Sequence, residues 1–442
     1  MSRRNLRLPS LLSLLLWLLV TTTVFAQQSR PVVYVAHLQG VINPVTATYV
    51  QRALAEASQA NASALVIEMD TPGGLMDSMR EITGAILNSR VPVVVYVAPQ
   101  GARAASAGVF VTQAAHVAAM APNTNVGSAH PVDGQGEQLD PTMADKVVND
   151  AVAQIKDVAQ RRGRNADWVE KAVRESVNAT STEAYNLKVV DLLADNRTSL
   201  LNAIDGRSVI LADGRTVTLA TKGAEQVPVD MNPVESFLHV ITDPTIAYLM
   251  LSLGGLALAF ELTSPGAVLP GVAGVLLVLI ALYALGTLPV NLAGVLLVLL
   301  GFALMVGEVL IVPGHGVMAV GGVIALVMGS LLLMQSSSPF LAVSPYAVAA
   351  VVIISAAFFF IAIRGVVRTY RRRPTTGIDG LIGAFGEART ELNPSGMVFV
   401  QGELWEATSE GSPVPQGAEV RVLRAVGLHL VVAESKGRYE GS

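Results

Sequence analysis

Apolar positions along the chain fall into four successive patterns. The first is an unbroken run from Leu11 to Val20, preceded by Arg3, Arg4 and Arg7 and followed by Val24-Phe25-Ala26. A basic start, a short apolar stretch and small residues at the cleavage positions make an export signal, so residues 1–26 are read as a signal peptide cut after Ala26. An uncleaved anchor helix is the alternative, and the run is short for one. In the second pattern, residues 29–229, short β-type runs alternate with helical periods. Val32-Val33-Tyr34-Val35, Ala64 to Met69 and Val91 to Val97 read as strands, and Thr46 to Ala57 and Leu75 to Leu87 as helices. That alternation predicts parallel βαβ units. A later helix is expected to open at Thr182-Glu183 with Ser181 or Thr182 as its cap. Ser208 to Leu219 reads as a hairpin turning at Asp213-Gly214.

The third pattern is a membrane region, residues 244–364. Between Pro244 and Ile363 the only Asp, Glu, Lys or Arg side chains are Glu261 and Glu308. About five spans are expected: Ile246 to Leu262, Val268 to Leu285, Pro289 to Val312, Val317 to Met334 and Tyr346 to Ile363, each near the roughly 20 residues that cross a hydrocarbon core. Arg364, Arg368, Arg371, Arg372 and Arg373 follow directly. Such a basic cluster places that end in the cytoplasm. Five crossings then put the 29–229 zone outside, in agreement with an export signal. Glu261 ahead of Pro265-Gly266, and Glu308 ahead of Pro313-Gly314, form a weak internal repeat. Two tight interhelical turns with glycines that let helices approach explain it; a transport path is the rival reading, because carboxylates within a membrane are functional candidates.

The fourth pattern, residues 375–436, is polar again. Short runs at Met397 to Val400, Glu403 to Ala407, Val420 to Leu423 and His429 to Val432 are separated by Gly-rich turns, which suits a five-stranded OB-fold barrel. From Thr375 onward there are five basic and nine acidic residues, the wrong balance for a phosphate-binding surface, so no nucleic-acid partner is expected. Composition agrees with a membrane protein: 52% of residues are hydrophobic and 14% charged, with a net charge of −4, against about 25% charged in soluble chains. The chain has no cysteine. Disulfides, thiolate catalysis and cysteine zinc sites are thereby excluded.

Two features of the 29–229 zone bear on chemistry. Asp70-Thr71-Pro72-Gly73-Gly74-Leu75 lies between an apolar strand and a helix, where paired glycines let backbone N–H groups face a cleft and hold an oxyanion. Gly101 to Gly108 surrounds Ser106 with small residues after another buried strand. A sharp strand-to-helix turn there would expose the hydroxyl as a nucleophile, with the Ala107 N–H as second oxyanion donor. Spacing alone equally allows Ser106 to be a plain helix cap.

Asp70-Thr-Pro-Gly-Gly, Ala105-Ser106-Ala107-Gly108, Met120-Ala121-Pro122-Asn123-Thr124-Asn125-Val126-Gly127 and Arg162-Gly-Arg-Asn165 together resemble the membrane-bound NfeD proteins that carry a Clp-type serine protease domain, the full-length, stomatin operon partner type. The order of zones matches as well. The resemblance implies a multidomain chain: an α/β ClpP/crotonase-like domain, a transmembrane helical bundle and a C-terminal OB-fold. It also implies a Ser–Lys dyad, no metal or cofactor, and an apolar peptide substrate such as the tail of a stomatin- or prohibitin-like membrane partner. Membrane lipid and further copies of the chain complete the expected partners. In that family the lysine follows the Ala-Pro-Xaa-Thr strand, and the matching residue is Lys146, forty positions after Ser106.

The chemistry is consistent with that transfer. A lysine acts as base only when neutral, and burial must bring it down from about 10.4. Lys156, the nearest rival, is expected to face solvent, with Lys171 and Lys188 the remaining lysines before Lys222. Soluble Clp proteases use histidine instead. Their histidine position aligns on Ala129, and His130 is one residue further on, which in a strand points the side chain the other way. His116 is expected to open a buried strand. Two other functions fit the same zones: a non-catalytic scaffold organising stomatin- or flotillin-type partners, and a crotonase-type acyl-CoA enzyme. Export separates the latter from its cytoplasmic cofactor.

Overall fold

The computed structural model describes residues 30–132, 141–264, 266, 268–288, 290–311, 316–334, 342–370 and 378–435; the signal peptide expected over residues 1–26 lies outside them. Six parallel strands form the main sheet of the α/β domain. In chain order they are β1 (Val32–Gln39), β2 (Ala64–Asp70), β3 (Val93–Val97), β5 (Val117–Met120), β8 (Leu192–Leu193) and β11 (Glu225–Val229), ordered in space β11-β1-β2-β3-β5-β8. Every residue of β3 is buried, because helices cover both faces and a doubly covered strand need not alternate apolar with polar. One face, with Leu65, Ile67, Val93 and Val95, packs under α1 (Pro44–Gln59), α2 (Met76–Leu87) and α3 (Ala107–Ala114). The other, with Val66, Val94 and Tyr96, packs under α7 (Arg197–Ile204).

A second sheet of three short strands, β4 (Arg103–Ala105), β6 (Asn125–Gly127) and β7 (Asn178–Thr180), lies beyond the carboxyl ends of β2, β3 and β5. This is the ClpP/crotonase-like arrangement of stacked ββα units. Helices α4 (Pro141–Arg161) and α5 (Ala166–Arg174) pack on each other, and α4 also packs on α3. The expected late helix is α6 (Ser181–Asn186), but its cap is Thr180. The Thr180 hydroxyl takes the Glu183 N–H while Glu183 returns to the Thr180 N–H, a reciprocal pairing that neither Ser181 nor Thr182 offers Glu183. The hairpin is present as β9 (Ser208–Ile210) and β10 (Thr216–Thr218).

Five apolar helices follow a short one, α8 (Pro233–Ile241): α9 (Pro244–Thr263), α10 (Leu269–Gly286), α11 (Leu292–Leu310), α12 (Val317–Met334) and α13 (Pro345–Tyr370). Among the described residues four are long and apolar enough to cross a membrane; the stretch Val317–Leu333 is apolar but shorter. Glycines let the backbones meet. A Cβ on Gly274 would stand 2.9 Å from the Gly254 carbonyl, and one on Gly294 2.9 Å from the Gly329 carbonyl. Glu308 is buried and accepts the N–H groups of Gly316 and Met318, at 2.7 and 3.1 Å. It thus caps the start of α12; Pro313 and Gly314 of the Glu–Pro-Gly repeat lie outside the described residues.

The C-terminal unit is a closed barrel in the order β12-β13-β14-β16-β15. Its strands are β12 (Phe385–Ala388), β13 (Ser395–Val400), β14 (Glu403–Ser409), β15 (Glu419–Val426) and β16 (His429–Glu434). All pairings are antiparallel except β14 with β16. Val398, Val400, Ala407, Val420, Leu430 and Val432 fill it.

Candidate active site

Three chain segments converge where β2 ends. Asp70 to Leu75 runs between two neighbours and is bonded to both. On one side the Ile42 N–H donates to the Gly73 carbonyl at 2.9 Å and the Leu75 N–H to the Ile42 carbonyl at 2.8 Å. On the other side the Thr71 N–H donates to the Arg103 carbonyl at 2.8 Å, and the Ala105 N–H to the Thr71 carbonyl at 3.1 Å. Both glycines are required. Gly73 has φ +120°, and a Cβ on Gly74 would lie 2.0 Å from the Ile42 carbonyl oxygen. The Gly73 N–H is already used, donating to Thr71 Oγ1 at 3.0 Å. Gly74 pairs with Ile42 through its neighbours' groups, so its own N–H points away from Ile42; it has no partner among the described residues.

Ser106 stands opposite this loop. A Cβ on Gly73 would meet Ser106 Cβ at 2.6 Å and Oγ at 3.1 Å, so the missing side chain is what admits the serine. Ser106 is the N-cap of α3, with φ 52° and ψ −114°, and its side chain makes no capping bond. The plain-cap reading therefore fails at its central requirement. A serine in that region costs about 1–3 kcal/mol of backbone strain. Three contacts hold it: its N–H donates to the Gly127 carbonyl at 3.0 Å, its carbonyl accepts from the Val109 N–H at 3.0 Å, and α3 behind it is buried throughout. The Ala107 N–H, in the first turn of α3, has no partner among the described residues, as the opening donors of a helix do unless capped.

The far end of α3 is closed by two arginines. Arg164 is buried and donates to the carbonyls of Thr112, Gln113 and Ala115, at 3.1, 2.7 and 3.0 Å; it also pairs with Asp191 at 2.8 Å. Arg162 donates to the Ala114 carbonyl at 3.3 Å. Cations at a helix C-terminus match its dipole. His116 follows α3, is buried, and accepts the Val93 N–H on Nδ1 at 3.1 Å. Burial first, then Arg162 and Arg164, push its imidazole down to about 3. It is neutral and structural, as expected for a residue opening a buried strand.

The candidate bases are placed differently. Lys146 lies in the second turn of α4, exposed, with no hydrogen bond or ion pair among the described residues. Gly73 is brought against Ser106, with Gly74 and Ala107 next to them in the chain; Lys146 makes no hydrogen bond or ion pair with any of them among the described residues, and residues 133–140 leading to α4 lie outside the described set. Lys156 does not stand free in solvent: it is ion-paired with Glu170 on α5. His130 Nδ1 is bonded to the Val173 carbonyl at 2.8 Å.

Comparison with known proteins fits this layout along the whole chain. Residues 32–227 match the NfeD1b N-terminal domain, 245–364 the NfeD integral membrane domain, and 378–434 the NfeD-like C-terminal, partner-binding domain. The membrane-bound protease PH1510 of Pyrococcus horikoshii is 34% identical over 435 residues, covering 96% of this chain and 98% of the relative. The chain belongs to the NfeD family. The membrane protein NfeD1b of Bacillus subtilis is 29% identical over 447 residues, covering 96% and 98%. Among solved structures, the 1510-N membrane protease specific for a stomatin homolog from Pyrococcus horikoshii is 34% identical. It covers 48% of this chain and 100% of its own, with a TM-score of 0.43.

This NfeD chain is accordingly a multi-pass membrane protein with a ClpP-like domain ahead of its spans and a small barrel after them. Two site residues escaped the sequence. In the sequence Thr71 reads as part of a loop, yet its hydroxyl decides which glycine N–H is free. Arg164 sat in a recognised motif without a role, because a charged residue in a polar stretch reads as exposed, and only the end of α3 makes its burial favourable.

Proposed function

We propose that this NfeD protein is a membrane-anchored serine endopeptidase that acylates on Ser106. The observation carrying the proposal is the pairing of an uncapped, strained Ser106 with a side-chain-free Gly73 beside it. Ser106 Oγ attacks the scissile carbonyl carbon while Lys146 takes the hydroxyl proton and passes it to the departing amine. Water, deprotonated by the same lysine, then hydrolyses the acyl–serine ester. The N–H groups of Gly74 and Ala107 receive the oxyanion, Gly74 being favoured over Gly73 because the Gly73 N–H is held by Thr71. Lys146 is exposed in the free chain, and an apolar peptide laid along it would strip the water that keeps an ammonium charged. Apolar segments of a stomatin-like membrane protein meet that need, and the relationship to a membrane-bound protease supports it.

One observation, the exposed Lys146, favours a second reading: a scaffold that gathers stomatin- or flotillin-type partners without cleaving them. The two are separated with the full-length protein in lipid, apolar test peptides and a fluorophosphonate probe. The enzyme should label at Ser106 and cleave, and Ser106→Ala and Lys146→Ala should each lower cleavage by at least about 1,000-fold, with His130→Ala active. Wild-type protein that neither labels nor cleaves would leave the scaffold. An inactive His130→Ala beside an active Lys146→Ala would transfer the base to histidine.

A further inference from the structure

Helix α8 joins the α/β domain to the first spanning helix, and its two sides are unlike. The inner side is locked to α1. Arg52 donates from Nε and Nη2 to the two carboxylate oxygens of Glu235, at 2.9 and 2.7 Å. Asn43 Nδ2 donates to the Thr242 hydroxyl at 3.1 Å, and Asn232 caps the helix through the Glu235 N–H. The outer side carries Val234, Phe237 and Val240, spaced i, i+3 and i+6, with 65%, 53% and 53% of their surfaces bare. Three exposed apolar side chains on one arc of a nine-residue helix form a face that water alone does not explain.

Two tyrosines mark the level at which that face lies. Helices α9 and α10 are antiparallel, with Gly254 against Gly274 and Glu261 against Gly271. The last turn of α10 therefore lies where α9 begins, and α8 packs against both. Tyr283, in that turn, is 56% exposed. Helix α13 starts at the same end, since the Ser344 N–H donates to Thr245 Oγ1 at 3.1 Å, and Tyr346 there is 86% exposed. Tyrosines at the ends of spanning helices settle at the headgroup level of a bilayer. Bare apolar residues such as Leu253, Leu276 and Leu279 continue along α9 and α10 beyond them.

We infer that α8 is an interfacial helix whose Val234–Phe237–Val240 edge beds in the headgroup–acyl boundary of the lipid bilayer. The occupant is lipid because α8 packs against α9 and α10, whose bare apolar side chains continue along the spans, at the end where the exposed tyrosines set the headgroup level. A consequence reaches the Ser106 cleft. His239 of α8 lies under Gly40, where a Cβ would stand 3.7 Å from its Nε2. The Gly40 N–H donates to the Asp70 carbonyl at 2.9 Å, at the start of the Gly73–Gly74 loop. The bilayer thus holds the cleft at its own surface, where a chain segment leaving the membrane arrives first.

The absence of cysteine makes a single introduced label unambiguous. Full-length Phe237→Cys and Val240→Cys, each carrying an environment-sensitive fluorophore in phosphatidylcholine nanodiscs, are compared with Ile210→Cys in the β9 hairpin strand, where the native side chain is 63% exposed. Lipid spin-labelled near the headgroup should quench both α8 labels several-fold more than the hairpin label, and iodide in the water should quench them several-fold less. Equal iodide quenching at all three positions would mean that the edge is bare in water and would overturn the inference. Protection from iodide without quenching by the labelled lipid would mean that a protein surface, a second copy or the barrel, covers α8, and would overturn it equally.

Discussion

At the scale of single residues, the site is governed by what a side chain's absence permits. Gly73→Ala would place a methyl 2.6 Å from Ser106 Cβ on a backbone at φ +120°. Probe labelling at Ser106 should fall by about 100-fold or more, measured as the labelling rate of protein that still unfolds cooperatively. Labelling at the wild-type rate would mean that the loop does not face the serine. His116 makes a separate prediction in acid. Its imidazole is held at about 3 in the folded chain, against about 6.5 when unfolded. The unfolded chain therefore binds a proton that the native chain refuses. The corresponding stability is complete above about pH 6.5 and is lost as pH falls towards about 3, at about 1.4 kcal/mol per unit. Urea unfolding of the α/β domain within the intact protein should show a shallower acid slope for His116→Gln than for wild type, and equal slopes would refute the assignment.

Among the elements, α3 decides whether Ser106 is a nucleophile or an ordinary turn residue. Its first turn offers open N–H donors to the cleft, and its last turn is closed by Arg162 and Arg164. The Arg164–Asp191 pair is almost wholly removed from water, with side-chain exposures of 2% and 10%. Removing one partner of such a pair strands the other charge. Arg164→Ala should cost about 3–5 kcal/mol of stability, read as a lower urea midpoint, whereas an exposed pair such as Arg161–Asp157 should cost under about 1 kcal/mol when broken. Comparable losses for the two would show that α3 does not depend on its arginine plug.

For the whole molecule, an export signal and a five-arginine cluster make independent statements about orientation. We propose on these two readings that the Ser106 domain lies outside the cytoplasm and the barrel inside, which requires an odd number of crossings. Five apolar helices satisfy this, although α12 is shorter than its neighbours. If α12 does not cross, four crossings leave both soluble parts on one side. Reporter fusions after Val229 and after Thr376 decide it: an alkaline phosphatase should be active only at the first junction and a cytoplasmic fluorescent reporter only at the second. One reporter active at both would remove the five-span topology and the separation of cleavage from barrel.

Much of this architecture was legible locally, because burial leaves a periodic trace. The apolar helices came through within a few residues, since a spanning segment must be apolar at every turn. The β1, β2 and β3 strands and the Asp213-Gly214 hairpin were legible for the same kind of reason, each being specified by residues next to one another. Strand β12 was not: of Phe385, Gly386, Glu387 and Ala388 only Ala388 is buried, so no alternation is written there. The three-residue strands β4, β6 and β7 are too short to show a period. The site was half legible. Ser106 and the Gly73–Gly74 loop could be singled out by their neighbours. That Gly73 lies against Ser106, that Thr71 holds the Gly73 N–H, and that Arg164 is buried at the end of α3 depend on segments far apart in the chain. Such contacts are set by strand pairing across β2, β4 and β6, and their energies arise only when water has been excluded between them, so they belong to the tertiary structure alone.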